Sequence, residues 1–480
     1  MDKKLDYRVT RYFIIPYVEE FCKEKERFDS MKQTIARDFK FLSLMKFALP
    51  SMVMMVFMSL YTIVDGIFIS RMVGSVALSA NNIVYPAVNI LMAIGIMLAT
   101  GGSAIIARKL GEKKPKEANE NFSLIVVTGV ITGIIGLIVG VVFLEQICRL
   151  LGATDMQIGY SSAYLRVVLF FAPMCMLQML FQSFFVTAGR PGMGLTLTVA
   201  AGAANMVLDY LFMGPLGMGV TGAALATGIG QCIPAVTGIV YFLIKKDGLR
   251  FVRPKLDWKA LRASCLNGSS EMVTNLSAAI VTYLFNIIML RLAKEDGVAA
   301  ITVVLYGQFL FCALYLGFSI GVAPVFSYNY GAGRRDMLRR IYRICMRFTT
   351  VSSVIIGAAA FAGAPLIARI FVDEGTAVYR LTERGCYLFA FAYLFCGVNI
   401  LASGIFTALS DGRTSALISF LRTFVFIVIS VLVLPYFLGT DGVWLSIPLA
   451  EILTLTVSLT HLAAFFGNKE RRKQKISTEN

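Results

Sequence analysis

Charged residues and histidine are scarce in this chain of 480 residues. Asp, Glu, Lys and Arg make up 15% of it, against about 25% in soluble globular proteins, which argues against a water-soluble enzyme. The single histidine, His461, leaves no His-based catalytic triad or His-rich metal cluster. The nine cysteines include no C-x-x-C pair, and no glycine-rich stretch carries the Lys and Ser or Thr of a P-loop. We therefore expect no enzyme, no cofactor and no structural metal.

Long apolar runs take the place of these motifs. Hydrophobic residues make up 57% of the chain, and the mean hydropathy is +0.73. Backbone exposed to lipid must satisfy its own hydrogen bonds, and the ten-residue alternation of an outer-membrane barrel is absent, so we expect each run to be a helix. The runs predict twelve spans, numbered 1 to 12: 47–70, 82–107, 122–143, 163–188, 194–213, 219–244, 267–290, 300–326, 345–371, 384–408, 415–438 and 442–466. The predicted fold class is an all-α polytopic membrane protein.

The basic residues are distributed unevenly between the two sides of this arrangement. The formal net charge is +16, and with twelve spans and an internal amino terminus, 35 of the 45 Lys and Arg lie on the cytoplasmic side and 7 in outside loops. This bias follows the positive-inside rule, so the net charge indicates anionic membrane lipid as a partner and no nucleic acid. We expect both termini to be cytoplasmic, in a protein of the cytoplasmic (inner) cell membrane.

The second half of the chain repeats the first at a constant offset. The offset brings Arg71 into register with Arg291, Gly101 with Gly321 and Gly111 with Gly331. Each half has six spans, so the copies enter the membrane in the same direction and are related by a pseudo-twofold axis along the membrane normal. We expect a cytoplasmic tail (1–43), an amino lobe (44–246), a cytoplasmic linker (247–264), a carboxyl lobe (265–466) and a second cytoplasmic tail (467–480). Nothing in the pattern indicates a dimer, so we expect a monomer.

Four carboxylates lie inside the apolar runs. They are Asp65 in span 1, Asp209 in span 5, Glu271 in span 7 and Glu451 in span 12. Each costs about 2.5 to 3.5 kcal/mol on insertion scales, so each needs a partner or a function. Tyr61 lies four residues before Asp65, and Asn205 four before Asp209, so each acid shares a helical face with a polar neighbour. The two acids are either structural hydrogen-bonding groups or a site for a proton or small cation.

The other intramembrane polar residues leave alternatives open. Glu271 either lines the cavity and meets a cationic substrate or pairs with a polar group in its lobe. Glu451 is expected to pair with Arg422 of span 11, because both are buried charges. Gln178 and Gln182 share a face of span 4, where they either extend the polar network or form packing contacts and hydrogen bonds between helices.

A series of short motifs also runs along the first half of the chain. They are Ala48-Leu49-Pro50 with Asp65 fifteen positions after the proline, Gly101-Gly102-Ser103-Ala104 leading to Gly111, Leu151-Gly152-Ala153, and Asn205-Met206-Val207-Leu208-Asp209-Tyr210 followed by Gly219-Val220-Thr221-Gly222-Ala223-Ala224. Each motif is weak alone. Their order and spacing resemble the multidrug and toxic compound extrusion (MATE) family, and the likeness covers about residues 44–466 and both repeats.

The resemblance implies a secondary antiporter whose two lobes form a V and alternate between outward and inward access. It implies a coupling-cation site, for H⁺ or Na⁺, at Tyr61, Asp65, Asn205, Asp209 and Thr227. It also implies a bend of span 1 at Pro50, where proline removes a backbone hydrogen bond. Some branches of the family add acids in spans 7 and 10. Glu271 matches the first, but span 10 has no carboxylate, which puts a coupling site in the carboxyl lobe in doubt.

We therefore expect an antiporter that exports small organic cations across the cytoplasmic membrane, driven by inward H⁺ or Na⁺. Gln178, Gln182 and Glu271 are the candidates for its substrate cavity. The alternative is a flippase for lipid-linked sugars on the same duplicated scaffold. A flippase would be expected to carry more basic charge in its cavity, whereas most intramembrane charges of this chain are acidic.

Overall fold

A computed structural model of the protein describes residues 35–73, 75–155 and 157–478, and the side chains of residues 35–61, 73, 83–155 and 157–467. Within these ranges every regular element is a helix. The first three spans are Phe41–Met72, Ser75–Gly111 and Pro115–Val142. Spans 5, 6 and 9 are Pro191–Met213, Gly219–Ile244 and Arg335–Ala362. Span 12 is Thr440–Thr478, and the short helices Leu144–Leu150 and Ala364–Phe371 follow spans 3 and 9.

The remaining spans are interrupted helices. Span 4 is the pair Ile158–Phe170 and Ala172–Thr187, bent by 54°. Spans 7 and 8 are the two arms of Trp258–Gly331. Span 10 joins Ala377–Phe389, Ala390–Ala392 and Tyr393–Ala408, and span 11 joins Gly412–Phe420, Leu421–Val425 and Phe426–Leu438.

The helix from 258 to 331 must be counted as two spans. Its 74 residues would extend about 110 Å if straight, far more than the roughly 30 Å of a bilayer core. The backbone leaves helical geometry at Ala293 and Lys294, and Lys294 has a positive φ of 53°. With this break and the bent span 4, the described helices form the twelve spans that the sequence predicts.

Prolines explain where two apolar runs are divided. Pro173 lies in the first turn after the bend of span 4, and Pro365 lies in the first turn of the short helix after span 9. Proline favours the first turn of a helix and disfavours helical geometry in the residue before it. The sequence prediction for span 9, 345–371, therefore ends too late, because the membrane helix ends at Ala362.

Each lobe has its own apolar core, and a third core joins the lobes. The amino-lobe core includes Phe122, Phe181 and Phe242, and the carboxyl-lobe core includes Phe285 and Trp444. The third core brings residues at the start of span 1 against spans 8 to 12. Its members include Phe39, Phe47, Ala48, Phe318, Val322, Phe326, Leu401 and Ile405. The two lobes are thus packed together at the end where span 1 begins.

Glycines at repeat-related positions allow this contact. A Cβ added to Gly111 would overlap the carbonyl oxygen of Tyr328, and a Cβ added to Gly331 would overlap that of Arg108. Gly111 and Gly331 are repeat partners, and the same offset relates Arg108 to Tyr328. Each lobe therefore makes the same contact with the other, as a twofold axis requires. The backbones of spans 2 and 8 meet directly here, because no side chain separates them.

The segment between spans 6 and 7 lies along the amino lobe. The amide of Arg250 donates to Asn119 Oδ1 at 3.0 Å, and the amide of Val252 donates to Ser123 Oγ at 3.0 Å. Both acceptors belong to span 3. The segment that leads to the carboxyl lobe is therefore held against the amino lobe by polar contacts.

A methyl group at position 331 should destabilise the packed lobes. We expect Gly331→Ala to lower stability by about 1 to 3 kcal/mol, because its Cβ must displace backbone and not a flexible side chain. Gly307→Ala in the same span is the matched control, since nothing lies within 4 Å of its added Cβ. Thermal unfolding of both purified variants in one detergent checks this, and equal midpoints for the two would contradict it.

Candidate functional site

Span 5 presents a polar face to the interior of the amino lobe. Asn205 is 3% exposed and Asp209 is fully buried, whereas Val207 and Tyr210, on the other side of the same helix, are more than half exposed. A carboxylate in this position faces neighbouring helices and not acyl chains. Sequence reasoning placed Asn205 and Asp209 on one face, and the burial agrees with that placement.

Thr227 of span 6 reaches this face because the two helices approach closely. A Cβ added to Gly230 would lie 3.1 Å from the carbonyl oxygen of Ala201, so a larger residue at 230 would force the helices apart. Asn205 Nδ2 donates to Thr227 Oγ1 at 3.4 Å. The Asn205 Oδ1 atom is buried and accepts no hydrogen bond from the described residues. An amide oxygen is therefore available beside the Asp209 carboxyl group.

Span 1 packs against span 5 and carries Tyr61. The Phe57 ring lies against Gly202, and the rings of Phe57 and Tyr61 are 6.4 Å apart. Spans 1 and 5 cross the membrane in the same direction, because both are odd-numbered. Asp65 lies about two turns after Phe57 and Asp209 about two turns after Gly202, so the two acids lie at about the same depth. The side chain of Asp65 lies outside the described residues.

The structure thus joins Asn205 to Thr227, buries Asp209 one turn further along the same face of span 5, and places Tyr61 on the neighbouring span 1. Their side chains supply carboxylate, amide and hydroxyl oxygens, the ligands that hard cations prefer. The same carboxyl group can hold a proton. The arrangement can therefore bind a proton or a small cation.

Pro50 lies in the part of span 1 that contacts the other lobe. Span 1 is helical through Pro50, whose missing N–H leaves the carbonyl of Lys46 without its helical donor. Backbone atoms of Met52 face Gly317, and those of Ala48 face Gly321. A change of bend at Pro50 would therefore alter the contact between the lobes.

Gln182 connects three helices of the amino lobe. Its Nε2 donates to Thr198 Oγ1 of span 5 at 3.1 Å and lies 3.8 Å from Met58 Sδ of span 1. The Gln178 side chain is partly buried and makes no hydrogen bond to a described residue. The bonds of Gln182 agree with a role in interhelical packing, and Gln178 remains a candidate for the substrate cavity.

The carboxyl lobe contains a buried ion pair, which confirms the pairing expected for Glu451. Arg422 Nε donates to Glu451 Oε1 at 2.8 Å, and the two side chains are 13% and 5% exposed. Asn399 Nδ2 donates to Glu451 Oε2 at 2.7 Å, and Ser458 Oγ donates to Asn399 Oδ1 at 2.8 Å. Spans 10, 11 and 12 all contribute to this network.

Arg422 lies in a turn of π-helix, Leu421–Val425, in which the amide of Phe426 donates to the carbonyl of Leu421. Turns of this kind are rare in proteins, and those that occur often lie at functional sites. Glu271 of span 7 is partly buried and lies within electrostatic range of Arg422, without forming an ion pair with it among the described side chains. The guanidinium of Arg422 is therefore paired with one acid, Glu451.

Sequence reasoning missed two parts of this site. Asn399 is one part, and it lies in the apolar run of span 10. A buried amide without a hydrogen-bond partner costs free energy, so its presence in this run could have indicated that Asn399 has a polar partner. The other part is a buried hydroxyl cluster in spans 10 and 11, consisting of Ser403, Thr407, Ser415 and Ser419, whose Oγ atoms are 2.7 to 2.9 Å apart. Serines and threonines are too frequent in this chain for sequence alone to single them out.

A cavity of about 580 Å³ lies near the turn between spans 7 and 8. Its lining includes Tyr283, Asn286 and Glu295. Asn286 is five helical turns after Gly268, which contacts Met97 of span 2, so both lie on the face of span 7 that looks toward the amino lobe. All of its lining residues belong to spans 7 and 8, so the cavity lies in the carboxyl lobe, at the end of span 7 opposite to the glycine contacts.

Removal of the buried Arg422 charge should lower the stability of the protein more than removal of an exposed charge. We expect Arg422→Met to destabilise the protein by about 3 to 5 kcal/mol, because Glu451 would lose its buried partner and would have to stay charged or take up a cation. Arg384→Met is the matched control, since Arg384 pairs with Asp441 between spans 10 and 12 in an exposed position, and little loss is expected there. Thermal unfolding in one detergent compares them, and equal losses would refute the expectation.

Comparisons with known proteins agree with this architecture. The multidrug export protein MepA of Staphylococcus saprophyticus is 26% identical over 436 residues, which cover 86% of this chain and 91% of that protein. MepA of Staphylococcus aureus is 24% identical over 432 residues, with the same coverage. A MATE transporter of the MOP superfamily in an outward-facing conformation superposes with a TM-score of 0.86 at 21% identity, covering 92% of this chain and 98% of the other.

The MatE family model matches residues 50–211 and 272–432. The first match begins at Pro50 and ends after Asp209, and the second begins near the corresponding point of the second half and covers Arg422. Two matches to one model are the expected result for a duplicated six-helix unit, and together they cover most of the chain. The chain therefore belongs to the MatE family, the multidrug and toxic compound extrusion transporters.

Proposed function

We propose that this protein is a multidrug antiporter that exports small organic cations across the cytoplasmic membrane in exchange for inward H⁺ or Na⁺. One observation carries the proposal: a fully buried carboxyl group, Asp209, lies one turn from a buried amide oxygen that has no partner among the described residues. Multidrug export by the staphylococcal MepA relatives supports the assignment. The protein acts as a monomer with both termini in the cytoplasm.

In the proposed cycle, Asp65 and Asp209 bind the coupling ion, with Tyr61, Asn205 and Thr227 as further oxygen ligands. Two nearby acids disfavour double ionisation, so a proton or Na⁺ entering from outside relieves their repulsion. An organic cation also favours the ionised acids, so the two cations compete. Transport follows only if the ion binds the two access states with different affinity.

The access state follows from the contacts between the lobes. The glycine contacts lie at the ends of spans 2 and 8, which the positive-inside bias assigns to the cytoplasm. The cavity beside Glu295 lies at the other end. Lobes that touch at the cytoplasmic end correspond in the proposed cycle to an outward-facing state, the state of the MATE transporter that superposes on this chain. Inward opening then requires the glycine contacts to separate, and a bend at Pro50 is the proposed means.

The substrate cavity is proposed to include Glu271, Gln178 and Gln182. Glu271 supplies a carboxylate that forms no ion pair with a described side chain, and the glutamines supply adaptable hydrogen bonds. Tyr283 and Glu295 add an aromatic ring and a carboxylate near the outer mouth, both of which attract cations. A flippase for lipid-linked sugars remains the alternative, and drug efflux in purified form distinguishes the two.

Removal of either amino-lobe acid should abolish transport. We expect cells that carry Asp65→Asn or Asp209→Asn to show ethidium efflux no faster than cells without the protein, because the coupling ion loses its anionic ligand. Efflux is followed by fluorescence, with the amount of protein in the membrane measured in parallel. Asp247→Asn, an exposed acid between spans 6 and 7, is the matched control and should retain efflux. Normal efflux by either buried-acid variant would overturn the mechanism.

Separate ion gradients should identify the coupling ion. In proteoliposomes, we expect ethidium transport that saturates and that is driven by either a pH gradient or a Na⁺ gradient, imposed one at a time. Asp209→Asn vesicles are the negative control under both gradients. Transport that is equally fast without any gradient would contradict antiport and would favour a facilitated pathway.

A further inference from the structure

The carboxyl lobe has a fixed positive charge at a position where the amino lobe has an uncharged residue. Spans 7, 10, 11 and 12 are the repeat partners of spans 1, 4, 5 and 6. In the register that pairs Gly111 with Gly331, the partners are Arg422 with Gly202, Glu451 with Gln231, Glu271 with Ser51 and Asn399 with Met179. The two lobes therefore share a scaffold but differ in buried charge: the amino lobe has acids, and the carboxyl lobe has an arginine paired with an acid.

The arginine is held in place from several directions. Arg422 lies in the π-helical turn Leu421–Val425, and Arg422 Nε donates to Glu451 Oε1 at 2.8 Å. Glu451 is itself fixed by Asn399, whose amide also donates to the Glu451 backbone carbonyl at 2.9 Å. Such a network is preorganised, and the long arginine side chain has little freedom to leave.

The charges around Glu451 come from few groups. Glu271 lies on span 7, Arg422 on span 11, and the thiols of Cys312 and Cys396 lie on spans 8 and 10, close enough to interact with Arg422. With ionised acids and neutral thiols, the guanidinium cancels one of two negative charges. The cancelled charge is that of Glu451, which is paired and hydrogen-bonded and so has no need of a mobile cation. The charge of Glu271 is left to the proposed substrate cavity.

We propose that the Arg422 guanidinium is a built-in cation that occupies the Glu451 site of the carboxyl lobe, so that Glu451 takes up no coupling ion and the ion site of the amino lobe couples transport. The inference rests on the proposed antiport function and assigns its ion binding to one lobe. Removal of the guanidinium should convert Glu451 into a site for H⁺ or Na⁺.

The test measures ion binding by purified protein in detergent, so it does not depend on transport. Potentiometric titration between about pH 5 and pH 9 counts the protons bound per protein, since buried carboxyl groups can titrate in that range. We expect Arg422→Met to bind at least one more proton than the parent protein, and we expect Na⁺ to displace it. Adding Glu451→Gln to Arg422→Met should remove one of the gained protons.

Two further variants keep the test decisive. Glu451→Gln alone should leave the titration in this range unchanged, because the parent Glu451 is neutralised by Arg422. This comparison holds even if Arg422→Met does not fold. Arg384→Met, which removes an exposed arginine, controls for general loss of charge. The proposal is overturned if Arg422→Met and the parent titrate identically, or if Glu451→Gln alone removes a titrating proton.

Discussion

A charge inside a lipid-embedded protein needs a partner, and this constraint shapes both lobes. Water cannot solvate a carboxylate in the hydrocarbon layer, so each acid must face the interior of its lobe and find a counter-charge or donor there. Asp209 is fully buried behind an exposed, apolar face of span 5. Glu451 is paired with Arg422 and with Asn399. The two lobes meet one requirement in two ways.

The two lobes differ in whether the partner of the buried acid can leave. In the carboxyl lobe the partner is covalently part of the chain and is fixed by a hydrogen-bonded network, so its effect is structural. In the amino lobe the polar set consists of acids, an amide and hydroxyls, and the proposed counter-charge is a mobile ion. Only a mobile partner can report which side of the membrane the site faces, so duplication of a scaffold does not by itself duplicate a coupling site.

The contact between the lobes complements this chemistry. Spans 2 and 8 meet backbone to backbone at Gly111 and Gly331, and spans 1 and 8 meet near Ala48 and Gly321. Contacts of this kind have no side chains to adjust, so they are either closed or separated. Pro50 lies between two of the contact residues of span 1. A bend there would connect events near Asp65, four turns away in the same helix, to the opening of the cleft.

Sequence alone determined the number of spans, their helical nature, the duplication and the face of span 5 on which Asp209 lies. These properties follow from local periodicity, from the cost of unsatisfied backbone in lipid and from the even number of spans in each repeat. The pairing of Glu451 with Arg422 was also predictable, because a buried charge leaves few choices. The division of span 9 at Pro365 was missed, since an apolar run shows where lipid can be but not where a helix bends. Tertiary structure alone decided that Asn399 holds Glu451, that Gly230 lets Thr227 reach Asn205, and that the glycines of the two halves touch each other. Those facts depend on distances between residues far apart in the chain, which packing sets and periodicity does not contain.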